Sequence, residues 1–393
     1  MQLPHITNVG TSWEERFRER VDNGRDAKRR VSREGTQLAM RIPIAGAFFI
    51  LVIVAAALTS FVSAGPHPPD RVTVAVNEKD RRVDVSIDGQ PFTSYIWPTT
   101  LKKPVLYPLR TAKGTIVTRG FPLEQRPGER IDHPHHAGLW FNYESVNGID
   151  FWNNSDAIKP ENAPKMGTIL HRSVVSAKSG SQQGELDVET DWITFDKTVL
   201  LKEHTHFVFR GGPGFRSVDR ITTLRAVDKK VDLKDEKDGV LGLRVARALE
   251  IPSDKPEVYT DASGRPTTVA KLDNTGVNGT YLTSEGKKGD DAWGTRGRWC
   301  SLSGLVGDEP VTITILDHPA NPGFPTYWHA RGYGLFAANP LGQKIFSEGK
   351  QALNFSLAPG ASATFRYRIL ISSAIATSDA TEAAYKDFVA AYR

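Results

Sequence analysis

The sequence predicts a mainly β protein, a large antiparallel β-sandwich preceded by one transmembrane helix. Three observations carry this expectation. Residues 42–64 run 23 positions without a charge, short segments of alternating apolar and polar residues fill the chain after them, and helical periodicity is scarce before the C-terminus.

The apolar run, IPIAGAFFILVIVAAALTSFVSA, is long enough as a helix to span a hydrocarbon core of about 30 Å. Arg25, Lys28, Arg29, Arg30, Arg33 and Arg41 precede it, and no Lys or Arg follows until Arg71. That asymmetry predicts a cytoplasmic basic tail over residues 1–41, a signal anchor over 42–64, a Pro-rich linker over 65–70 and an extracytoplasmic domain over 71–393. Val62-Ser63-Ala64 also resembles a cleavage site, so the alternative is a secreted product cut near Ala64.

Strands are expected over residues 71–76, 82–87, 115–118, 167–175, 185–195, 198–209, 215–226 and 311–316, with Gly211-Gly212-Pro213-Gly214 turning between the two longest. One helix is expected at 379–391, capped by Ser378 or Asp379 and packed on the sheet.

Composition narrows the function. The formal charge is +5, and the single cysteine, Cys300, excludes an intrachain disulfide and a cysteine-based zinc site. No basic stripe with interleaved aromatics follows residue 65, which argues against nucleic acid as a partner. No phosphate loop, nucleophile elbow or dinucleotide fingerprint is present, and no cofactor is predicted.

Two histidine-rich clusters stand out. The first is Asp132-His133-Pro134-His135-His136, followed by Trp140. The second holds Asp317, His318 and Asn321, then His329, Arg331 and Tyr333. Imidazole titrates nearest neutrality, so clustered histidines suit proton transfer, metal ligation or hydrogen bonding to a polyhydroxylated ligand. In the strand around Leu201, alternation puts Glu203 on the apolar face, where a carboxylate acts as acid or base or pairs with Arg220 or Arg225.

The stretches DHPHHAGLWFNYESVNGIDFW, LKDEKDGVLGLRVA and DHPANPGFPTYWHARGYGLFAANPLG resemble the bacterial family labelled PmoA, or methane oxygenase, over roughly residues 100–375. Methane oxidation itself is not expected, because a genuine methane monooxygenase subunit has several hydrophobic spans and this chain has one. The resemblance implies a β-sandwich similar to the galactose-mutarotase-like supersandwich, in the company of carbohydrate-degrading systems. It also implies that His133, His135, His136, Trp140, Asn147, Asp235, Lys237, Arg244, Asp317, His318, Asn321, His329, Arg331 and Asn339 converge on one pocket.

The leading expectation is an exported, membrane-tethered enzyme acting on a carbohydrate by epimerisation, elimination or hydrolysis. His133, His135, His136, His318 and His329 with Glu203 are its candidate catalytic groups, and Trp140, Arg244, Asp317, Asn321, Arg331 and Tyr333 its candidate substrate contacts. The alternatives are a non-catalytic sugar-binding or envelope-assembly module, and a hydrolase or oxygenase whose His and Asp side chains hold a divalent metal.

Overall fold

The computed structural model describes residues 72–271 and 273–393. The expected tail, membrane segment and linker, residues 1–70, lie outside the described residues. Among those described, no helix is long and apolar enough to cross a membrane.

Twenty strands follow one another along the described chain. The first ten are β1 (Val72–Asn77), β2 (Arg82–Ile87), β3 (Gln90–Ile96), β4 (Val105–Leu106), β5 (Leu139–Tyr143), β6 (Thr168–Lys178), β7 (Gly184–Ile193), β8 (Val199–Gly212), β9 (Phe215–Ala226) and β10 (Val231–Leu233). The second ten are β11 (Gly239–Arg244), β12 (Glu257–Thr260), β13 (Pro266–Val269), β14 (Thr280–Thr283), β15 (Trp299–Val306), β16 (Glu309–Asp317), β17 (Tyr327–Arg331), β18 (Leu335–Asn339), β19 (Phe355–Leu357) and β20 (Ser362–Ser372). Two α-helices, α1 (Gln343–Phe346) and α2 (Ser378–Ala391), come late in the chain.

The protein is mainly β, as expected, and its large sheets are antiparallel. One runs β1-β2-β3-β4-β5-β11-β18-β17 and the other β14-β15-β16-β20-β9-β8-β7-β6. Rings from the two sheets meet between them: Phe92 with Phe209, Tyr95 with Phe207, Phe141 with Phe365, and Tyr281 with Phe336. This shared apolar filling makes a sandwich of the pair.

The expected hairpin joins β8 to β9, with Gly212 opposite Phe215 and Pro213-Gly214 as its turn. Gly214 sits at φ 83°, a conformation that glycine adopts without a side-chain clash. Strand β9 has its predicted bounds, but residues 115–118 form no strand and contribute only single bridges, Arg110–Ile116 and Thr118–Val245. Helix α2 starts one turn residue earlier than expected. Its cap is Thr377, whose hydroxyl accepts from the Ala380 amide, and Phe388 seats it against Trp299 and Leu316 of the second sheet.

Strands β5, β11 and β18 were not anticipated, because every residue in them is buried. Alternation marks a strand only when one face is wet. These three are covered by the sandwich core on one side and by a layer of loops on the other.

Glu203 belongs to the core, which corrects its assignment to a catalytic role. It faces inward as the alternation predicted, accepts from Arg220 at 2.7 Å, from the Trp192 indole at 2.8 Å and from Thr205 at 2.6 Å. The Arg220 guanidinium lies 5.1 Å from the Phe141 and Phe207 rings, so this pair is held inside the sandwich. Replacing Glu203 with Leu leaves a buried cation without its carboxylate and should cost about 3–5 kcal/mol, while the double variant Glu203→Leu/Arg220→Met should recover most of that loss. Urea unfolding of the three proteins measures both, and a single variant as stable as wild type contradicts the assignment.

Candidate functional site

The site is built on the outer face of the first sheet. Register places Trp140 of β5 beside Gly242 of β11, Gly242 beside Ala337 of β18, and Ala337 beside His329 of β17. Directly paired residues share a face, so Trp140, Gly242, Ala337 and His329 form one row across four strands. The neighbouring row holds Arg244, Leu335 and Arg331. Gly242 lets the Trp140 indole lie flat on the sheet, since a Cβ there would come within 2.4 Å of the ring.

Above this floor stands the segment Asp132-His133-Pro134-His135-His136. The His136 amide donates to the His133 carbonyl at 2.9 Å, closing a turn around Pro134. His133 is held at φ 46°, a strained value for a non-glycine residue. The Arg119 guanidinium fixes the turn from beneath by donating to the carbonyls of Asp132, His133 and His136. Gly138, at φ 57°, lets the chain pass against the Leu106 carbonyl as it enters β5.

Four rings stack in a column. Tyr333 lies on His133 at 5.2 Å, His133 on His136 at 4.8 Å and His136 on Trp140 at 5.1 Å, with interplanar angles of 2°, 2° and 18°. Trp152 and His135 meet His136 edge-on. The Arg244 guanidinium lies 4.9 Å from the Tyr333 ring and that of Arg331 5.7 Å from it.

Asp132 organises the charges. One carboxylate oxygen accepts from Arg119 at 2.6 Å and from Arg244 at 2.7 Å, and the other pairs with His133 Nδ1 at 2.6 Å. Burial works against its ionisation, but the His133 hydrogen bond and the charges of Arg244 and Arg119 outweigh it and hold the carboxyl well below its usual range. His133 keeps 42% of its side chain exposed, and with Nδ1 engaged its Nε2 is left for proton transfer.

His135, His136 and His329 are neutral imidazoles. Burial, then the positive charge of Lys103, pulls His135 down to about 2, and burial pulls His329 down to about 3. His136 is pushed far below its ordinary value, again by burial first. Arg244 Nη1 lies 3.2 Å from His136 Nδ1; arginine only donates, so Nδ1 accepts and the proton sits on Nε2. That Nε2–H has no partner. Neither do His135 Nε2, His329 Nδ1, Trp140 Nε1 or Arg244 Nε, all buried.

Some functional groups were missed from the sequence. Lys103 is buried, donates to the His135 carbonyl at 2.7 Å, lies 5.4 Å from the Trp140 ring and is lowered to about 7 by burial. Nothing in the surrounding Lys102-Lys103-Pro104 marks it. Asp132 was readable, being the carboxylate adjacent to the first histidine.

The structure brings together His133, His135, His136, Trp140, Arg244, His329, Arg331 and Tyr333, but the expected convergence of both clusters is only partial. Asp317 ends β16 in the second sheet, where it accepts from Asn321 and from the Thr326 amide, each at 2.8 Å, and burial raises it to about 7. Asn321 clasps the Arg366 backbone, and the His318 ring meets Phe388 of α2. Residues 318–326 cross from one sheet to the other, so only the part after the crossing reaches the site. Asn147 and Asp235 hold backbone groups of Asp232, Lys344 and Leu353, and Asn339 holds the carbonyls of Glu236 and Lys237. Among the described residues no group of three or more His, Cys, Asp or Glu is arranged to hold a metal ion.

The low values at His135 and His329 tie stability to pH. Below about 6.5 an unfolded histidine binds a proton that its folded counterpart refuses, so stability falls as pH drops from there toward about 3, by up to about 1.4 kcal/mol per pH unit for each group. His329→Gln removes one such group and should flatten the loss measured by urea midpoints at pH 7, 5 and 4. An unchanged slope contradicts a neutral buried His329.

No curated protein matches the chain in sequence. Similar solved structures include the galactosidase domain of an alpha-galactosidase–sucrose kinase, at 10% identity and TM-score 0.35, covering 76% of this chain and 42% of that one. Others are an alpha-galactosidase from Geobacillus stearothermophilus, at 10%, 0.37, 77% and 41%, and a putative aldose 1-epimerase from Escherichia coli K12, at 9%, 0.31, 77% and 98%. The chain thus spans less than half the length of either galactosidase chain. The resemblance to the PmoA family is overturned, because the family model that matches is a different one: its quoted motifs fall inside residues 82–386, which carry the match. The chain belongs to DUF6807, a family of unknown function.

Proposed function

We propose that the outer face of the first sheet binds a polyhydroxylated small molecule, a sugar or sugar derivative, and moves protons on it. The observation that carries this reading is the gathering of five buried polar atoms without partners, on His135, His136, Trp140, Arg244 and His329, around one stacked aromatic column. Buried polar groups are rarely left unpaired, and each costs about 1–3 kcal/mol when it is. Hydroxyl groups, which both donate and accept, satisfy such a mixed set. A phosphate suits the face less well, because Arg119 and Arg244 already direct donors to Asp132, and Arg119 also donates to the carbonyls of the histidine turn.

In this reading Asp132 orients His133, whose Nε2 takes or gives the proton. His136 and Trp140 donate hydrogen bonds, and Tyr333, at the open end of the column, offers apolar ring surface. The neutrality of His135, His136 and His329 favours a second reading, a non-catalytic sugar-binding face, because groups held so far below pH 7 do not cycle protons there. Export, with residues 42–64 as an anchor or cut near Ala64, belongs to the same proposal and rests on the sequence alone. A C-terminal alkaline phosphatase fusion tests it, and a fusion inactive in intact cells would argue against export.

The enzymatic reading is tested by finding, through thermal shift, a sugar that stabilises the protein and following its conversion by NMR. His133→Asn tolerates the left-handed backbone and removes the imidazole; conversion should fall about 10²–10⁴-fold with the melting temperature nearly unchanged. Conversion at the wild-type rate would sink the role of His133, and saturable binding with no product in wild type would establish the binding reading.

A further inference from the structure

We propose that Glu144 and Asp238, with Asn142 and His329, form a second polar subsite on the same face, which holds hydroxyl groups of the bound sugar and in which Glu144 delivers a proton. The proposal rests on the reading of the face as a sugar site and adds to it a second proton-transfer group.

Register leads to this place. Alternation puts Asp238, Val240, Gly242 and Arg244 on one face of the β11 segment, and Trp140, Asn142 and Glu144 on the matching face of β5. Asp238 and Glu144 extend the ladder beyond its last pair, Gly239 with Tyr143. The Glu144 amide donates to the Asp238 carbonyl at 2.9 Å, and the Asp238 amide donates to Glu144 Oε2 at 3.2 Å. One Glu144 oxygen is thereby anchored while the other is left for a ligand.

Two buried side chains point to an occupant. His329 Nδ1 stands 3.4 Å from Asp238 Oδ1 without a hydrogen bond. Asn142 is fully buried; its amide donates to the Phe151 carbonyl at 2.6 Å and its Oδ1 has no partner. A cluster rich in acceptors calls for a ligand rich in donors, and hydroxyl groups supply them.

Burial, then the charge of Asp238, raises Glu144 to about 7, with Asp150 and Glu236 adding in the same direction. Asp238 is itself raised by burial, against the pull of Lys237 at 3.5 Å. Lys234, Tyr143, Tyr333, His133 and His329 also face the pair. Burial and the neighbouring Asp238 charge keep Glu144 partly protonated near neutrality, which makes it an acid. In the step, Glu144 passes its proton to a ligand oxygen and becomes a carboxylate. His133 takes a proton from the ligand and becomes an imidazolium, so the ligand's charge is unchanged, and proton exchange with water resets both groups.

The test uses the full-length protein with carboxyl-labelled Glu and Asp, titrated by NMR, and then D-glucose, D-galactose, D-glucuronate and their methyl glycosides as probes. Besides Asp317, whose signal Asp317→Asn identifies, one carboxyl should titrate near pH 7, vanish in Glu144→Gln and move down by a unit or more in Asp238→Asn, where the repelling charge is gone. A probe that binds wild type should bind Glu144→Gln within about threefold, while its conversion falls at least about 100-fold. No carboxyl other than Asp317 titrating above pH 6, or a Glu144 signal unmoved in Asp238→Asn, overturns the pair. Conversion lost in His133→Asn yet retained in Glu144→Gln leaves the face as a sugar site and overturns this subsite alone, whereas no binding by any probe overturns both.

Discussion

One carboxylate, Asp132, holds the site together. Two guanidiniums, one from Arg119 ahead of the histidine turn and one from Arg244 at the end of β11, are almost wholly shielded from solvent and share one of its oxygens. Buried charge of this kind persists only when it is compensated, and removing a partner typically costs about 3–5 kcal/mol. The Asp132 arrangement therefore locks a surface turn onto a sheet strand. It also sets the geometry of His133, whose strained backbone is retained because Arg119 binds its carbonyl and Asp132 binds its ring. The ring column from Tyr333 to Trp140 follows, since each imidazole in it projects from that turn.

How much of this the sequence disclosed depended on which faces are wet. The hairpin of β8 and β9 and the inward orientation of Glu203 were legible because those strands alternate between the core and more open positions. Strands β5, β11 and β18 carry the site and were invisible, because the histidine turn and Trp152 cover the face that would otherwise be solvated. The function of that covering layer thus concealed the strands beneath it.

The two histidine-rich motifs look alike and do different work. In Asp132-His133 the carboxylate meets buried cations and a half-exposed ring. In Asp317-His318 the carboxylate meets an amide side chain and a backbone N–H, and the loop it closes carries the chain between sheets. Residue types within each motif do not distinguish these outcomes, because the distinction lies in the sheet against which each motif is held. Glu144 and Asp238 teach the converse. Both lie inside the long quoted stretches without being singled out there, yet both fall on the site face by simple alternation from Trp140 and Arg244.

The site turns on neutral, partly unpaired imidazoles in the turn and on β17. Long-range proton–nitrogen NMR on the full-length protein, with its histidines labelled with nitrogen-15, observes them directly at pH 7. The account predicts that His135, His136 and His329 are uncharged, that His136 carries its proton on Nε2, and that the Nε2 signal of His136 shifts when a stabilising sugar is added. A charged imidazolium at His136, or a proton on its Nδ1, would contradict it.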